Sequence, residues 1–186
     1  MDQRRLVERA RQGDHDAFAE LVRAAVVRLD GAARLILRDP ELARDAVQDG
    51  LLRAWRDLPR LRDPDRFDAW LHRLTVNACI DQTRRRRRRP TEVELTPIHA
   101  PAIADTAGHL ADRDLVDTVL RRLDERGRAI VVLHYFLGMP LTEVAATLGL
   151  PIGTVKSRLH RALEDMRFTM VADSLIGSPS IGGQIA

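Results

Sequence analysis

Two groups of side chains in this chain are of types that bind polyanions. The first is a run of six arginines from Arg84 to Arg89. Arginine offers a planar fork of donors that matches a phosphate and a flat face that stacks on a base. A merely solvated surface rarely needs six consecutive like charges, so phosphate contact is the favoured reading. The second group lies within LTEVAATLGLPIGTVKSRLHRALEDMRF, Leu141 to Phe168, where Gly153, Thr154, Lys156, Ser157, Arg158, His160 and Arg161 are small, polar or cationic. Bond-breaking chemistry is poorly provided for. The six histidines are scattered without an HExxH pair, and there is no G-x-S-x-G, P-loop or dinucleotide fingerprint. His109 and Asp112, near Asp105, form the one conceivable metal cluster, and they fall in a stretch that reads as a linker. The chain is therefore read as no enzyme, with no catalytic residue, no metal site and no cofactor.

The second group needs a helix to present it. Gly149 reads as the C-terminal stop of one helix, and Pro151 lies near the start of the next. In that next helix Val155, Leu159, Ala162, Leu163 and Met166 share one stripe. At about 100° per residue the opposite arc holds Gly153, Thr154, Ser157, His160 and Arg161, bordered by Lys156 and Arg158. A helix anchored on one face and polar on the other is what insertion into a DNA major groove requires. The competing reading is a helical hairpin whose outer face is solvated.

The arginine run follows a helix predicted from Phe67 onward. Leu71, Leu74 and Ala78 share a stripe, while Val76 and Ile80 lie off it, so this helix is packed on more than one side. Arg73, Asn77, Asp81, Arg84 and Arg85 run along one side, and Trp70 lies on that side too. Asn can bond a base edge in a bidentate manner, and Trp70 is either a stacking platform for an exposed base or a core residue.

Upstream, Phe18, Leu21, Val22, Ala25, Val26 and Leu29 form a stripe continued by Ala32, Ala33, Ile36 and Leu37, with Asp14 as N-cap. Asp39-Pro40 breaks this helix and starts another, to about Asp57, burying Ala43, Val47, Leu51, Ala54 and Trp55. Asp45, Gln48 and Asp49 stay outside with Arg44 and Arg53; they are equally a solvated surface or a protein-docking face. Gly50 inside this helix is either weakening or required by a close neighbour. Residues 58–66 form a turn-rich loop.

The net charge of +3 conceals its distribution. Residues 1–83 are neutral, with fifteen arginines against fifteen acids, and residues 90–112 hold four acids and no base. The basicity is thus a local patch, which suits a specific polyanion contact. Three prolines and no sustained period mark 90–112 as a linker longer than a routine connection. Beyond it Leu115, Val119, Leu120 and Leu123 start one helical set and Ala129 to Leu137 another. The expected fold is all-α: two small helical domains, 1–89 and 113–172, joined by a flexible linker, 90–112. The second domain contains the helix-turn-helix, and a mobile tail follows at 173–186. Cys79, the sole cysteine, excludes an internal disulfide and reads as a buried small hydrophobe. No apolar run approaches the ~18 residues of a membrane span, and MDQRRLVERARQGD is not a signal peptide, so a cytoplasmic protein is expected.

These motifs together resemble the extracytoplasmic-function (group IV) sigma factors of bacterial RNA polymerase. LARDAVQDGLLRAW, from Leu42, is similar to their region 2.2; RFDAWLHRLTVNACIDQTRRRRRR, from Arg66, to regions 2.3 and 2.4. RGRAIVVLHYFLGMPLTEVAATLGLPIGTVKSRLHRALEDMR, from Arg126, resembles region 4, GTVKSRLHRA being its most specific signature. The resemblance implies that Asp45, Gln48 and Asp49 dock on the clamp helices of the polymerase β′ subunit, with the β flap as a second core contact. It implies that Arg73, Asn77, Asp81, Arg84 and Arg85 open and read the −10 element as a melted strand, a base flipping into a pocket formed partly by the loop before Phe67. Lys156, Ser157, His160 and Arg161 would read the −35 duplex, with Arg158 toward phosphate. The linker would thread the RNA exit path, and an anti-sigma protein is an implied partner; no membrane contact is. Gly50 and Leu51 depart from the bulkier residue and the Phe usual there, and Pro140 stands where a capping Ser is common. Two other classes compete: an autonomous helix-turn-helix repressor or activator, and an adaptor binding proteins only. The single helix-turn-helix and the first domain argue against the one, the arginine run and the GTVKSR arc against the other.

Overall fold

The computed structural model describes residues 2–88 and 118–176, with side chains over 2–86 and 118–168. Helix α1, Gln3–Arg11, is capped by Asp2 and buries Leu6, Val7 and Ala10. Gly13, at φ +91°, makes the turn into α2, His15–Leu37. Asp14 caps α2 by accepting a hydrogen bond from the Ala17 amide, which together with an ion pair to Arg9 holds its carboxyl below the usual range. The stripe from Leu21 through Leu29 to Ile36 is buried as expected, with Phe18, Val22 and Val26 partly so.

Asp39 caps α3, Pro40–Asp57, through the Glu41 and Leu42 amides, with Pro40 in the first turn, where a missing N–H costs nothing. Ala43, Ala46, Val47 and Ala54 are buried, whereas Leu51 and Trp55, expected in the core, are only half-buried. The reason for Trp55 is local: its ring lies 4.4 Å from that of His15 in a stack and edge-on to Phe18, covering the start of α2 from outside. Gly50 faces α4, Phe67–Arg88. A Cβ at Gly50 would lie 2.6 Å from Thr75 Oγ1 and 2.9 Å from Thr75 Cα. The glycine therefore serves close helix approach, the second of the two readings left open by the sequence. Helix α4 buries Leu71, His72, Thr75, Val76, Ala78 and Cys79, an arc of about 160° at ~100° per residue, wide enough to include Val76 off the Leu71 stripe. Burial pushes the Cys79 thiol up to about 12, so it is a protonated core residue at neutral pH.

In the second region residues 118–122 are helical, followed by α5, Glu125–Val131, which continues as a π turn over Val132–Phe136. The sequence reading started this helix at Ala129. It starts four residues earlier because Asp124 caps it, accepting from the Gly127 amide at 2.7 Å. Gly138, at φ +71°, ends the turn, and Pro140 starts α6, Leu141–Leu148. Gly149, left-handed at φ +63°, closes α6, and α7 runs Ile152–Ile176. Helix α7 passes residue 172, where a tail was expected to begin; no glycine or proline interrupts it before Gly177. The expected linker and the remaining tail lie outside the described residues, as do His109 and Asp112.

The two helical regions share one apolar core. The key tie is Arg128 of α5, only 7% exposed, whose Nε donates to Ile36 O at 2.8 Å. Its Nη1 reaches Leu120 O and Leu123 O at 3.3 and 3.4 Å. Carbonyls near a helix C-terminus lack intrahelical donors and carry partial negative charge, so one buried guanidinium satisfies several at once. No strand occurs among the described residues, and none of their helices is long and apolar enough to cross a membrane.

Candidate nucleic-acid interface

The recognition arc on α7 is built by the turn before it. Gly149 reverses the chain, Pro151 O accepts from the Val155 amide, and Val155, Leu159 and Ala162 are then driven into the core. With that face buried, Lys156, Ser157, His160 and Arg161 are exposed together. Ser157 Oγ donates back to Thr154 O at 3.1 Å, which holds its hydroxyl beside the helix with its lone pairs open. His160 lies 3.4 Å from Glu164, one turn on, so a ligand contact by His160 competes with a weak surface pair. Arg158 differs from its neighbours. It is half-buried on the shoulder of the arc, 3.7 Å from Asp124, which also caps α5. It ties α7 to α5 as well as bordering the exposed arc.

The second arc is on α4. Arg73 is exposed, Asn77 and Asp81 are half-buried, and Arg84 and Arg85 are exposed again. The helix continues to Arg88, so Arg84, Arg85 and Arg86 leave it at about 100° intervals and do not form a stripe. An aspartate in a cationic surface has a structural explanation. Asp81 accepts from Arg53 of α3 at 3.2 Å and lies 3.9 Å from Arg84, so its charge is matched on both sides. Arg53 also reaches Asp49, one turn back on α3, at 3.4 Å. One guanidinium therefore joins the acidic face of α3 to the polar side of α4. Sequence spacing could not show this link, because it crosses two helices.

Trp70 is partly buried against the core and also lines a cavity. Its ring packs at 6.1 Å from the fully buried Phe67, while its remaining edge lines a cavity of about 500 Å³ with Arg62, Arg66 and Arg73. The loop forming one wall is firmly built: Asp63 accepts from the Asp65 amide, and Asp65 accepts from Arg4 at 2.8 Å. That hydrogen bond, with the charge of Arg4, holds the Asp65 carboxyl below its usual range. The opposite wall includes Met139, Glu143 and Thr147, from α6 and the turn before it.

The face Asp45, Gln48 and Asp49 is on the outside of α3, with Asp49 half-buried beside Arg53. Sequence reasoning missed its apolar member. Leu52, four residues after Gln48 and three after Asp49, is 60% exposed on the same side. An exposed leucine bracketed by polar residues is what a docking face presents, and a count of stripe positions on α3 would have left Leu52 as the unburied one. Among the described residues there is no His, Cys, Asp and Glu group fit to hold a metal ion.

Comparison with known proteins falls on the same two units. Residues 16–89 match the family model for Sigma-70 region 2, and residues 113–166 that for Sigma-70, region 4. The chain is 38% identical over 150 residues to the ECF RNA polymerase sigma factor SigM of Mycobacterium tuberculosis, covering 81% of this chain and 75% of that one. It is 37% identical over 158 residues to the RNA polymerase sigma-E factor of Streptomyces coelicolor, covering 85% and 88%. Its fold is similar to that of CnrH, solved with the cytosolic domain of CnrY, with a TM-score of 0.66 and 32% identity over 92% of this chain and 98% of the other. It is also similar to the sigma factor RpoE solved with the anti-sigma factor NepR from Bartonella quintana, with a TM-score of 0.68 and 25% identity over 84% and 98%. Both cationic arcs thus sit inside segments whose relatives span nearly the whole of this chain, and the chain belongs to the extracytoplasmic-function (ECF) sigma factors of bacterial RNA polymerase.

Proposed function

We propose that this ECF sigma factor holds a promoter by two separate grips, and the observation that carries the reading is the pair of cationic arcs on two different helices. On α7, Lys156, Ser157, His160 and Arg161 are open while the reverse face is buried, the arrangement of a helix that reads a −35 duplex in the major groove. Arg158, on the shoulder, reaches a phosphate by exchanging its contact with Asp124. On α4, Arg73, Asn77, Arg84 and Arg85 serve the −10 element as a melted strand. Asp81 acts by orienting Arg84 and Arg53 and does not itself take a phosphate. Trp70 and the arginines around the cavity supply stacking and phosphate contacts to an unpaired nucleotide.

Strand opening then needs no hydrolysis. Contacts made only by the unpaired strand offset the few kcal/mol of unstacking and unpairing. The chain is not an enzyme; it directs core polymerase. Asp45, Gln48, Asp49 and Leu52 form its docking face for the β′ clamp helices, with the second domain toward the β flap. The work is cytoplasmic, where the polymerase is. That the two structural neighbours were solved with CnrY and with the anti-sigma factor NepR supports an anti-sigma protein as a further partner.

The test is transcription in vitro with core polymerase, with and without this chain, followed by permanganate mapping of unpaired thymines. Initiation from specific promoters only when the chain is present is expected, with reactivity centred on the −10 element. Initiation independent of the chain would sink the reading.

A further inference from the structure

The cavity beside Trp70 has walls of two origins. One is built by α4 and the loop before it, the other by α6 and the turn before that, with Met139, Glu143 and Thr147. Arg66 and Glu143 pair at 2.8 Å and bridge the two walls. Only the first wall belongs to the elements assigned to the melted strand. The volume, about 500 Å³, lies in the range of pockets that enclose one small molecule, about 300–1,000 Å³. A continuous strand has to enter such a space at one side and leave at another, whereas a free nucleotide needs only the room.

The lining is of two kinds. Leu61, Ala69, Met139 and Ala146 give apolar surface beside the indole of Trp70, which suits the flat face of a base. Around it four arginines outnumber the carboxylates of Asp63 and Glu143 by two. Both acids are already engaged, Glu143 by Arg66 and Asp63 by the Asp65 amide. Arg62 and Arg73 are exposed and make no ion pair or hydrogen bond among the described residues, so two guanidinium forks are open to phosphate. On the opposite wall Thr147 is only 6% exposed, and its hydroxyl has no hydrogen-bond partner among the described residues. Buried polar side chains are ordinarily paired, so this hydroxyl is available to a ligand atom.

We propose that this cavity binds a free purine nucleoside diphosphate. Its base lies against Trp70 and the apolar lining, its phosphates on Arg62 and Arg73, and a polar atom of the base or ribose on the Thr147 hydroxyl. Two phosphates match both the open guanidiniums and the surplus of positive charge. An inorganic anion would leave the apolar surface unused, and a nucleoside would leave the arginines unused. The bound nucleotide covers the indole and so excludes the unpaired nucleotide of a melted strand. That consequence, though not the site itself, rests on assigning Trp70 to the strand.

The test uses the full chain. Trp55→Phe leaves Trp70 as its one tryptophan, whose fluorescence is followed as GDP, ADP, guanosine or sodium pyrophosphate is added in magnesium-free buffer at constant ionic strength. GDP or ADP should quench saturably at one site, at least about tenfold more tightly than guanosine or than pyrophosphate, the latter read by competition. Arg62→Gln, in an exposed loop, and Thr147→Val, which exchanges the hydroxyl for a methyl, should each weaken diphosphate binding by about threefold or more. Thr147→Ser, which keeps the hydroxyl, should bind as the wild type does, and thermal unfolding confirms that each variant is folded. Anisotropy of a fluorescein-labelled single strand, covering the segment that permanganate shows to be melted, reports strand binding. Thr147→Val should leave it unchanged, and GDP should displace the strand from the wild type. No saturable quenching up to about 5 mM overturns the proposal. So does pyrophosphate binding as tight as that of the nucleotides, or equal nucleotide binding by Arg62→Gln and Thr147→Val and the wild type. Nucleotide binding of the expected pattern without strand displacement supports the site and removes Trp70 from the strand assignment.

Discussion

Gly50→Ala tests whether the packing of α3 on α4 is set by one missing methyl. In a helix interior this change normally stabilises, by about 1 kcal/mol from propensity. Here the new Cβ would stand 2.6 Å from Thr75 Oγ1 and 2.9 Å from Thr75 Cα. Carbon atoms rest at about 3.5–4.0 Å, so roughly 1 Å of separation is needed, and a backbone atom cannot rotate away. Overpacking of a tight contact costs about 1–3 kcal/mol, and a forced shift of two helices lies toward the upper end. The net expectation is a loss of about 1–2 kcal/mol, or a fall in Tm of about 4–8 °C per kcal/mol for a domain of under 100 residues. Gly31→Ala is the matched control. Its Cβ would meet only the far end of Phe136, a side chain 42% exposed and free to give way, so that variant should be neutral or up to about 1 kcal/mol more stable. Adding Thr75→Ala to Gly50→Ala removes the hydroxyl contact but leaves the Cα one, and should recover only part of the loss. Thermal and urea unfolding of the four proteins decides it. If Gly50→Ala raises Tm as much as Gly31→Ala does, close approach of α3 and α4 is not what the glycine provides.

Other expectations concern the two grips and their support. Arg161→Ala should cost about 1–3 kcal/mol of −35 discrimination while leaving initiation from promoters with a strong −10 element intact, measured by competition binding to duplex variants. Asn77→Ala should reduce permanganate reactivity at the −10 element without changing recruitment to the duplex; unchanged reactivity would remove Asn77 from strand reading. Leu52→Asp should weaken binding to core polymerase by about 1–3 kcal/mol, with free-chain stability within ~0.5 kcal/mol, because the side chain is exposed in the free chain. His72 is buried, and desolvation, aided by Arg28 and opposed by Asp68, lowers its pKa in the folded chain. The unfolded state then binds the extra proton first, so stability should fall as pH drops below about 6.5, until the lowered folded pKa is passed. His72→Gln should flatten that part of the stability profile.

What the sequence made legible, and what it hid, divides along one line. Features written into a single helix could be read directly. Asp14, Asp39 and Gly149 cap or stop helices because their chemistry acts on the next few amides and carbonyls, and the Val155 stripe implies its own opposite arc. Features that need two helices were beyond spacing. Nothing in the sequence places Arg53 between Asp49 and Asp81, Thr75 against Gly50, or Arg128 on Ile36 O. The misplaced start of α5 is a local miss of a different kind, since Asp124 was available as a cap but its helix opens with charged residues and shows no early apolar period. The pairwise links also bear on function. Gly50 permits a close approach of α3 to Thr75 of α4, and further along the same pair of helices Arg53 bridges Asp49 to Asp81. The outer face of α3 and the polar side of α4, proposed above as the polymerase and strand faces, are thereby joined by a close contact and one guanidinium. A shift of α3 on docking would be transmitted through these contacts, since a packed contact at backbone level cannot absorb it. The acid on α4 then has a reason to be there: Asp81 receives the far end of the link from α3 and, in the proposed function, sets Arg84 for the strand.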